Sequence, residues 1–473
     1  MNKITLPIAE LKPALAGLGK IVSKRCTLPV LNHIKIERTT DGWIALTGTD
    51  LDHFVTVRLE QPSTGEPISL LVPYDELIKI TKNCQKADKI LIHRGENPSG
   101  ASVIVEYSIG NQIAEAKVNS LPVEEFPEIP RINGEPVQVN DALRASIHEA
   151  LECASTDESR LILNGVYIDT TKKDAHYVIG TDGRHLYSSN SFALPLKDSL
   201  IIPTHKFIGW KEFNNDGEWQ LKVSPAEKTG PGHLQISSRR WRFITRQIEG
   251  NYPNWRQVVP TEFQTTIQLD PSSVDGVIQI IERMPCDDAI NFAIGLEWKN
   301  QKLSLLGRTP NAEKVTQVEI DNVKAQGSDV KIFLNRYLLI KALQFGLTTV
   351  ELIDSMSPAR LSNAGRQMII MPTRPNPPAT PQPVESQPAA EEPAAQPETT
   401  MPEETADQPA TIEDQIDTVI TEFETMKDWI QQQLAGLKAI TGKLKTIQRE
   451  HKSSSKELQT VRQTLKSLQG LKL

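Results

Sequence analysis

The sequence predicts an α+β chain built from three copies of one unit, followed by a linker and a separate helical segment. Three observations carry this. The triplet Gly-Thr-Asp at Gly48–Asp50 returns at Gly180–Asp182, 132 residues later, and a degenerate Gly-Arg-Thr at Gly307–Thr309 follows after 127 more. The same landmarks surround each copy in the same order. The chain of 473 residues exceeds what one core holds and suits about three domains.

Each unit opens on a helix-like segment: Ile8–Lys24, Asp141–Ala154 and Pro271–Met284. Asn140 is an expected N-cap of the second, and Pro271 suits a first helical turn. An apolar alternation follows, fourteen residues upstream of the first two triplets and thirteen upstream of the third. It reads VLNHIKIE at Val30–Glu37, ILNGVYID at Ile162–Asp169 and INFAIGLE at Ile290–Glu297. Ile34 with Ile36, and Val166 with Ile168, have the period of half-buried strands. Beyond each triplet comes a second strand-to-helix step, around Pro73, Pro203 and Leu334. Proline-containing segments close the units at Phe126–Pro130, Tyr252–Pro260 and Met371–Pro375. The expected boundaries are 1–130, 131–260 and 261–375, each unit carrying two helices and many short strands.

Composition limits the function classes. The net charge of −7 argues against uniform positive charge but leaves room for a local basic surface. Cys26, Cys84, Cys153 and Cys286 are far apart and form no CxxC pair, so the expectation is buried thiols rather than a metal or disulfide framework. No signal-peptide run opens MNKITLPIAE and no stretch approaches the ~18 apolar residues of a membrane span, so a cytoplasmic protein is expected. HEALEC at His148–Cys153 lacks the second histidine of a zincin helix and reads as plain helix. Asp182 and His185 have no nucleophile at a usable spacing, and no GxxxxGK[ST] loop is present. RRWRF at Arg239–Phe243 reads as a half-buried strand, with Arg240 and Arg242 opposite Trp241. No catalytic constellation, metal set or cofactor motif emerges, and no intrinsic enzyme activity is expected.

TLPVLNHIKIE, LTGTDL, SRLILNGVYID, GTDGRHL, IIPTHKF, EGNYPNWRQVVP and MIIMPTRP resemble, in order over about residues 1–375, the landmarks of the bacterial DNA polymerase III β subunit, the sliding-clamp family. The resemblance implies a head-to-tail homodimer in which two three-unit chains make a six-unit ring. Helices would line the hole and strands would form the outer layer. Such a ring encircles duplex DNA without reading its sequence and tethers the replicative polymerase, the clamp loader and other partners. Residues 1–376 hold 44 acidic and 42 basic residues, so positive charge can still be concentrated inward.

The resemblance places DNA contacts at Arg25, with Lys20 and Lys24 beside it, and at Lys206, with Lys79 and Lys82 more remote candidates; the last three would lie on helices facing the hole. Asp75, Glu76, Thr204 and His205 depart from the basic character the family has there. It also implies a peptide-binding groove between the second and third units. Leu163, Thr181, Gly183, Arg184, Leu186, Pro253 and Val258 would come from the second unit; Tyr337, Met356, Ile369, Met371 and Pro372 would come from the third. Arg184–His185 is reversed relative to the usual order, and Gln257, Leu334 and Thr373 replace the family's usual residues, which implies a shifted peptide preference.

Residues 376–410 are rich in Pro, Ala, Glu, Gln and Thr and read as a disordered linker. Ile412, Ile416, Val419, Phe423, Met426 and Ile430 then alternate at spacings of four and three, and the register continues toward Leu468. This predicts an amphipathic tail over 411–473, a coiled coil or a helical hairpin around Ser453–Ser455, whose partner is unknown. Two alternatives stay open: a divergent or element-encoded clamp serving repair or partner sequestration, and a coiled-coil scaffold whose clamp-like body no longer binds DNA.

Overall fold

The computed structural model describes residues 2–22, 27–95, 102–109, 112–224, 232–286, 290–308 and 315–373. Lys24, Arg25, Cys26, the linker at 376–410 and the helical tail at 411–473 lie outside the described residues.

The threefold repeat is written in the strand order. Four strands, Ile68–Pro73, His33–Arg38, Ile44–Thr49 and His53–Arg58, lie side by side in that order. Leu200–Pro203, Gly165–Asp169, His176–Thr181 and His185–Phe192 repeat the pattern, and so do Val330–Asn335, Ala293–Lys299, Lys302–Arg308 and Val315–Ile320. A second four-strand set also occurs three times. It is Ile4–Pro7, Lys89–Arg94, Ser102–Ile109 and Gln112–Asn119; then Val137–Val139, Trp219–Ser224, His233–Ser237 and Trp241–Arg246; then Thr265–Leu269, Thr349–Leu352, Ala359–Asn363 and Arg366–Ile370. All the pairings are antiparallel.

These sets fuse where units meet. His53–Arg58 pairs with Trp241–Arg246, placing Val55 opposite Phe243 and making one eight-stranded sheet. His185–Phe192 pairs with Arg366–Ile370, joining the second and third units in a nine-stranded sheet that also takes in Val323–Gly327. The two remaining sets are separate four-stranded sheets, edged by Gln112–Asn119 and Val315–Ile320. Both edge strands have mostly exposed side chains.

Helices pack on these sheets. They are α1 (Ile8–Leu18), α2 (Tyr74–Lys82), α3 (Asp141–Cys153), α4 (Lys211–Asn214), α5 (Val274–Arg283) and α6 (Arg336–Gln344). Helix α1 stops earlier than expected, and the Tyr74 hydroxyl at the start of α2 donates to the Leu15 carbonyl at 3.1 Å. Asn140 caps α3 as expected, accepting the Leu143 amide at 2.9 Å. Pro271 sits in a short 3-10 turn that feeds α5.

The second unit departs from its siblings. After Pro203 the chain makes a turn, and only four residues become helical, in α4. Aromatic packing accounts for this. Phe207 packs on Phe213 at 4.7 Å and Trp241 at 5.4 Å, and Trp210 meets Trp241 edge-on at 5.2 Å. The other units carry nine-residue helices, α2 and α6, at this step. Gly17 on α1 abuts the same cluster: a Cβ there would lie 2.3 Å from Trp241 and 2.5 Å from Trp210.

In the second and third units the triplet's glycine is a packing requirement. A Cβ at Gly180 would sit 2.0 Å from the Ala150 carbonyl of α3, and one at Gly307 would sit 2.7 Å from the Pro285 carbonyl just past α5. The first helix of the unit presses on the sheet at this point. Cys84 and Cys153 are buried thiols, and burial pushes Cys153 up to about 12. His148 lies on α3 beside Asn214 and edge-on to Trp219, as a plain helix predicts. Trp241 is buried at the start of its strand, while Arg240 precedes that strand and is held by Asp216 at 3.0 Å. Among the described residues no helix is long and apolar enough to cross a membrane.

Candidate functional site

The Thr and Asp of the triplet build a hairpin turn, and it is the same turn twice. In the second unit the Thr181 hydroxyl donates to the His185 carbonyl at 2.5 Å and accepts the Gly183 amide at 3.0 Å. Asp182 accepts the amides of Arg184 and His185 at 2.8 and 3.0 Å. In the first unit Thr49 bonds the His53 carbonyl and the Leu51 amide, and Asp50 takes the amides of Asp52 and His53. Gly183 and Leu51 occupy the equivalent left-handed position, each at φ 86°. Glycine takes that conformation freely, whereas Leu51 is held there by the turn's hydrogen bonds.

In the second unit this turn borders an apolar pocket of about 160 Å³. Its floor is the strand seam itself: Leu186 pairs with Ile369, and both are buried with Ile179 and Trp255 in a separate small core. Leu163 and Thr181 approach from one side, with Gly183 and Arg184 at the turn. Pro253 and Val258 form part of the opposite wall, and Met371 stands at the rim, 41% exposed. Its amide donates to the Arg184 carbonyl at 3.1 Å, extending the seam one step beyond the strand.

The wall at Tyr252–Val258 is anchored from behind. The Trp255 indole donates to Asp169 at 2.9 Å and Arg256 pairs with the same carboxylate at 2.7 Å. The Arg256 guanidinium covers the Trp255 ring at 4.5 Å, and Tyr252 stacks on Tyr167 at 4.4 Å. Burial raises the Asp169 carboxyl, but its bonds from Thr171 and Trp255 and the charge of Arg256 outweigh that and hold it low. Below the turn, burial likewise raises Asp182, and the His185 ring 2.8 Å away, with the turn amides, brings it down to about 2.

Nine of the twelve groove residues expected from the sequence line this pocket: Leu163, Thr181, Gly183, Arg184, Leu186, Pro253, Val258, Ile369 and Met371. Tyr337, Met356 and Pro372 do not. Tyr337 opens α6, exposed and edge-on to Phe292 at 5.1 Å; Met356 is exposed in the turn after Thr349–Leu352; and Pro372 follows the rim residue. The structure adds His185, Tyr252, Asn254 and Trp255. The YPNW run carried that signal, because large rings beside a proline in a unit-closing segment need a surface to pack on.

On the helical face, Lys20 lies in the turn after α1, half-buried. Lys206 is exposed but lies in the turn after Pro203, not on a helix as expected, for the packing reason given above. Lys79 and Lys82 do lie on α2, where Lys79 pairs with Glu76 at 2.6 Å. Asp75 and Glu76 fill the first turn of α2, where the helix dipole favours acids. Thr204 hydrogen-bonds the Asn164 carbonyl at 2.8 Å, and His205 stacks on His53 across the seam at 4.5 Å. Among the described residues, Asp50, His53 and His205 make the one cluster suited to a metal ion.

Comparison with known proteins agrees with this architecture. Residues 3–130 match the family described as DNA polymerase III beta subunit, N-terminal domain, and residues 139–254 match its central domain. The beta sliding clamp of Streptococcus pneumoniae TIGR4 is 25% identical over 386 residues, covering 77% of this chain and 97% of the relative. That of Escherichia coli K12 is 23% identical, covering 79% and 100%. The crystal structure of the DNA polymerase III subunit beta from Pseudomonas aeruginosa superposes with a TM-score of 0.67 at 21% identity, covering 79% of this chain and all of that one. The sliding clamp of Bacillus subtilis also gives 0.67, at 20% identity with 79% and 99% covered. With its strand sets repeated three times and two of its units matched by the family's own domains, the chain belongs to the DNA polymerase III beta subunit family.

Proposed function

We propose that this protein is a DNA sliding clamp, a processivity factor that encircles duplex DNA and tethers the replicative polymerase and other partners to it. The observation that carries the reading is that two edge strands, among the described residues, lack the partner strand their counterparts have. Gln112–Asn119 stands in the first unit where Trp241–Arg246 and Arg366–Ile370 stand in the next two. Val315–Ile320 stands where His53–Arg58 and His185–Phe192 stand. Pairing these edges head to tail between two copies repeats the internal seam and closes a six-unit ring. Ile113 and Val315, exposed on these edge strands, would then lie at the seam.

The helical face would line the hole, with Lys20, Lys24, Arg25 and Lys206 offering sequence-independent phosphate contacts. Glu152 and Glu282 are exposed on α3 and α5, so retention on DNA rests on topology more than on charge. The pocket between the second and third units would take the apolar anchors of partner peptides, those of polymerase and clamp loader included. The protein would work in the cytoplasm and have no turnover of its own; chemistry at the primer end would belong to the polymerase it holds.

Loading on a nicked circle followed by linearisation tests the reading. A clamp stays with the circle through gel filtration and leaves the linear form. Equal retention on both, or on neither, rejects encirclement.

A further inference from the structure

We propose that Asp50, His53 and His205 form a binding site for a zinc-class divalent metal ion at the seam between the first and second units. One nitrogen of each ring and one oxygen of the carboxylate lie within 4.8 Å of one another. Asp50 and His53 come from the hairpin turn of the first unit, and His205 reaches them from the turn that follows Leu200–Pro203 in the second.

The donors are positioned by packing. The two imidazoles stack at 4.5 Å and 29°, and both lie on Phe243, at 5.7 and 5.4 Å. His53 Nδ1 faces the Asp50 oxygens at 3.1 and 3.0 Å, the separation of two donors on one ion, which would displace the proton they share. His205 Nδ1 accepts the Phe207 amide at 3.2 Å, a long bond that metal loading can exchange. The site is open to water, with the Asp50 and His53 side chains 29% and 18% exposed. Two imidazoles, borderline donors, joined by one carboxylate make a set of the kind zinc and its neighbours take, with bonds of about 2.0–2.2 Å and water in the remaining position. Loading would draw the donors, now within 4.8 Å of one another, to that spacing by turning the two rings out of their stack.

The protein contains its own control. Asp182 and His185 hold the same places in the next unit's turn, 2.8 Å apart, so the Asp–His pair by itself belongs to the turn. Among the described residues no third donor joins that pair. His205 is what distinguishes the first seam, and a bound ion would tie the two units together there.

The test uses the full chain after chelator treatment, titrated with Co2+ and with Zn2+. Wild type should take up one equivalent of cobalt with visible d–d absorption, and zinc should raise its thermal midpoint. His205→Phe preserves the ring stack on Phe243 and removes only the donor; it should lose the cobalt signal and the zinc shift while keeping the wild-type near-UV dichroism. His53→Gln should lose both as well, and His185→Gln should keep both. No cobalt uptake by wild type at stoichiometric micromolar concentration overturns the proposal, as does undiminished uptake by His205→Phe.

Discussion

Leu186 lies directly opposite Ile369 across the strand pair that joins the second and third units, and both side chains are buried. The same pair is seam and pocket floor, so stability and the proposed partner binding would be linked there and separable at the rim. Leu186→Ala should cost about 2–4 kcal/mol and lower the thermal midpoint. Met371→Ala, at a half-exposed position, should leave the midpoint within about 0.5 kcal/mol of wild type. Its affinity for a clamp-binding peptide should nevertheless fall, by roughly tenfold for one lost apolar anchor. Calorimetry and fluorescence polarisation on both variants check this.

Asp182 provides a pH-dependent contribution. Its carboxyl is held at about 2 in the folded chain against 3.8 ordinarily. A depressed carboxyl stabilises above the unfolded value, and the contribution fades as pH falls from about 4 toward 2. Allowing for partial exposure, it is worth about 1–2 kcal/mol at neutral pH. Asp182→Asn should therefore melt lower than wild type at pH 7, and the two curves should converge only on acidification to about pH 2.

Gly17 is the contact through which α1 meets the tryptophans of the second unit. Gly17→Ala forces a methyl to within 2.3 Å of Trp241 and should cost about 1–3 kcal/mol. The change should also appear in tryptophan emission, since Trp210 and Trp241 must move apart.

Ile113 is 75% exposed on an edge strand. Ile113→Lys should leave the fold of the single chain intact while placing a charge in the seam between copies. Sedimentation equilibrium should give the mass of one chain for the variant and of two for the wild type. A dimeric variant that still retains circular DNA would place the inter-chain seam elsewhere.

Much of this was legible because repeats speak through local chemistry. Gly180, Thr181 and Asp182 recur because close helix packing and a hydrogen-bonded turn each demand a particular residue type. Asn140 was readable as a cap for the same reason. The short helix after Pro203 was not, because Phe207 and Trp210 find their partner, Trp241, in a strand three strands further on in the chain. That error displaced Lys206 from its expected helix. In the pocket, Leu163 and Met371 followed from motif, while His185 and Trp255 were missed, Trp255 despite the signal of the YPNW run. Their place depends on the Asp182 and Asp169 carboxylates, whose roles appear only once the turn and the outer strands are assembled.

The strand seams carry a mechanical consequence. Within one chain, each seam between units is bridged by peptide backbone as well as by ladder hydrogen bonds. A seam made from Gln112–Asn119 and Val315–Ile320 of two copies has the ladder alone. Tension applied around the ring is shared by every seam, but only those without a covalent bridge can yield completely. In the proposed ring the repeat would make a hoop of near-identical joints in which chain connectivity, rather than joint chemistry, decides where it parts.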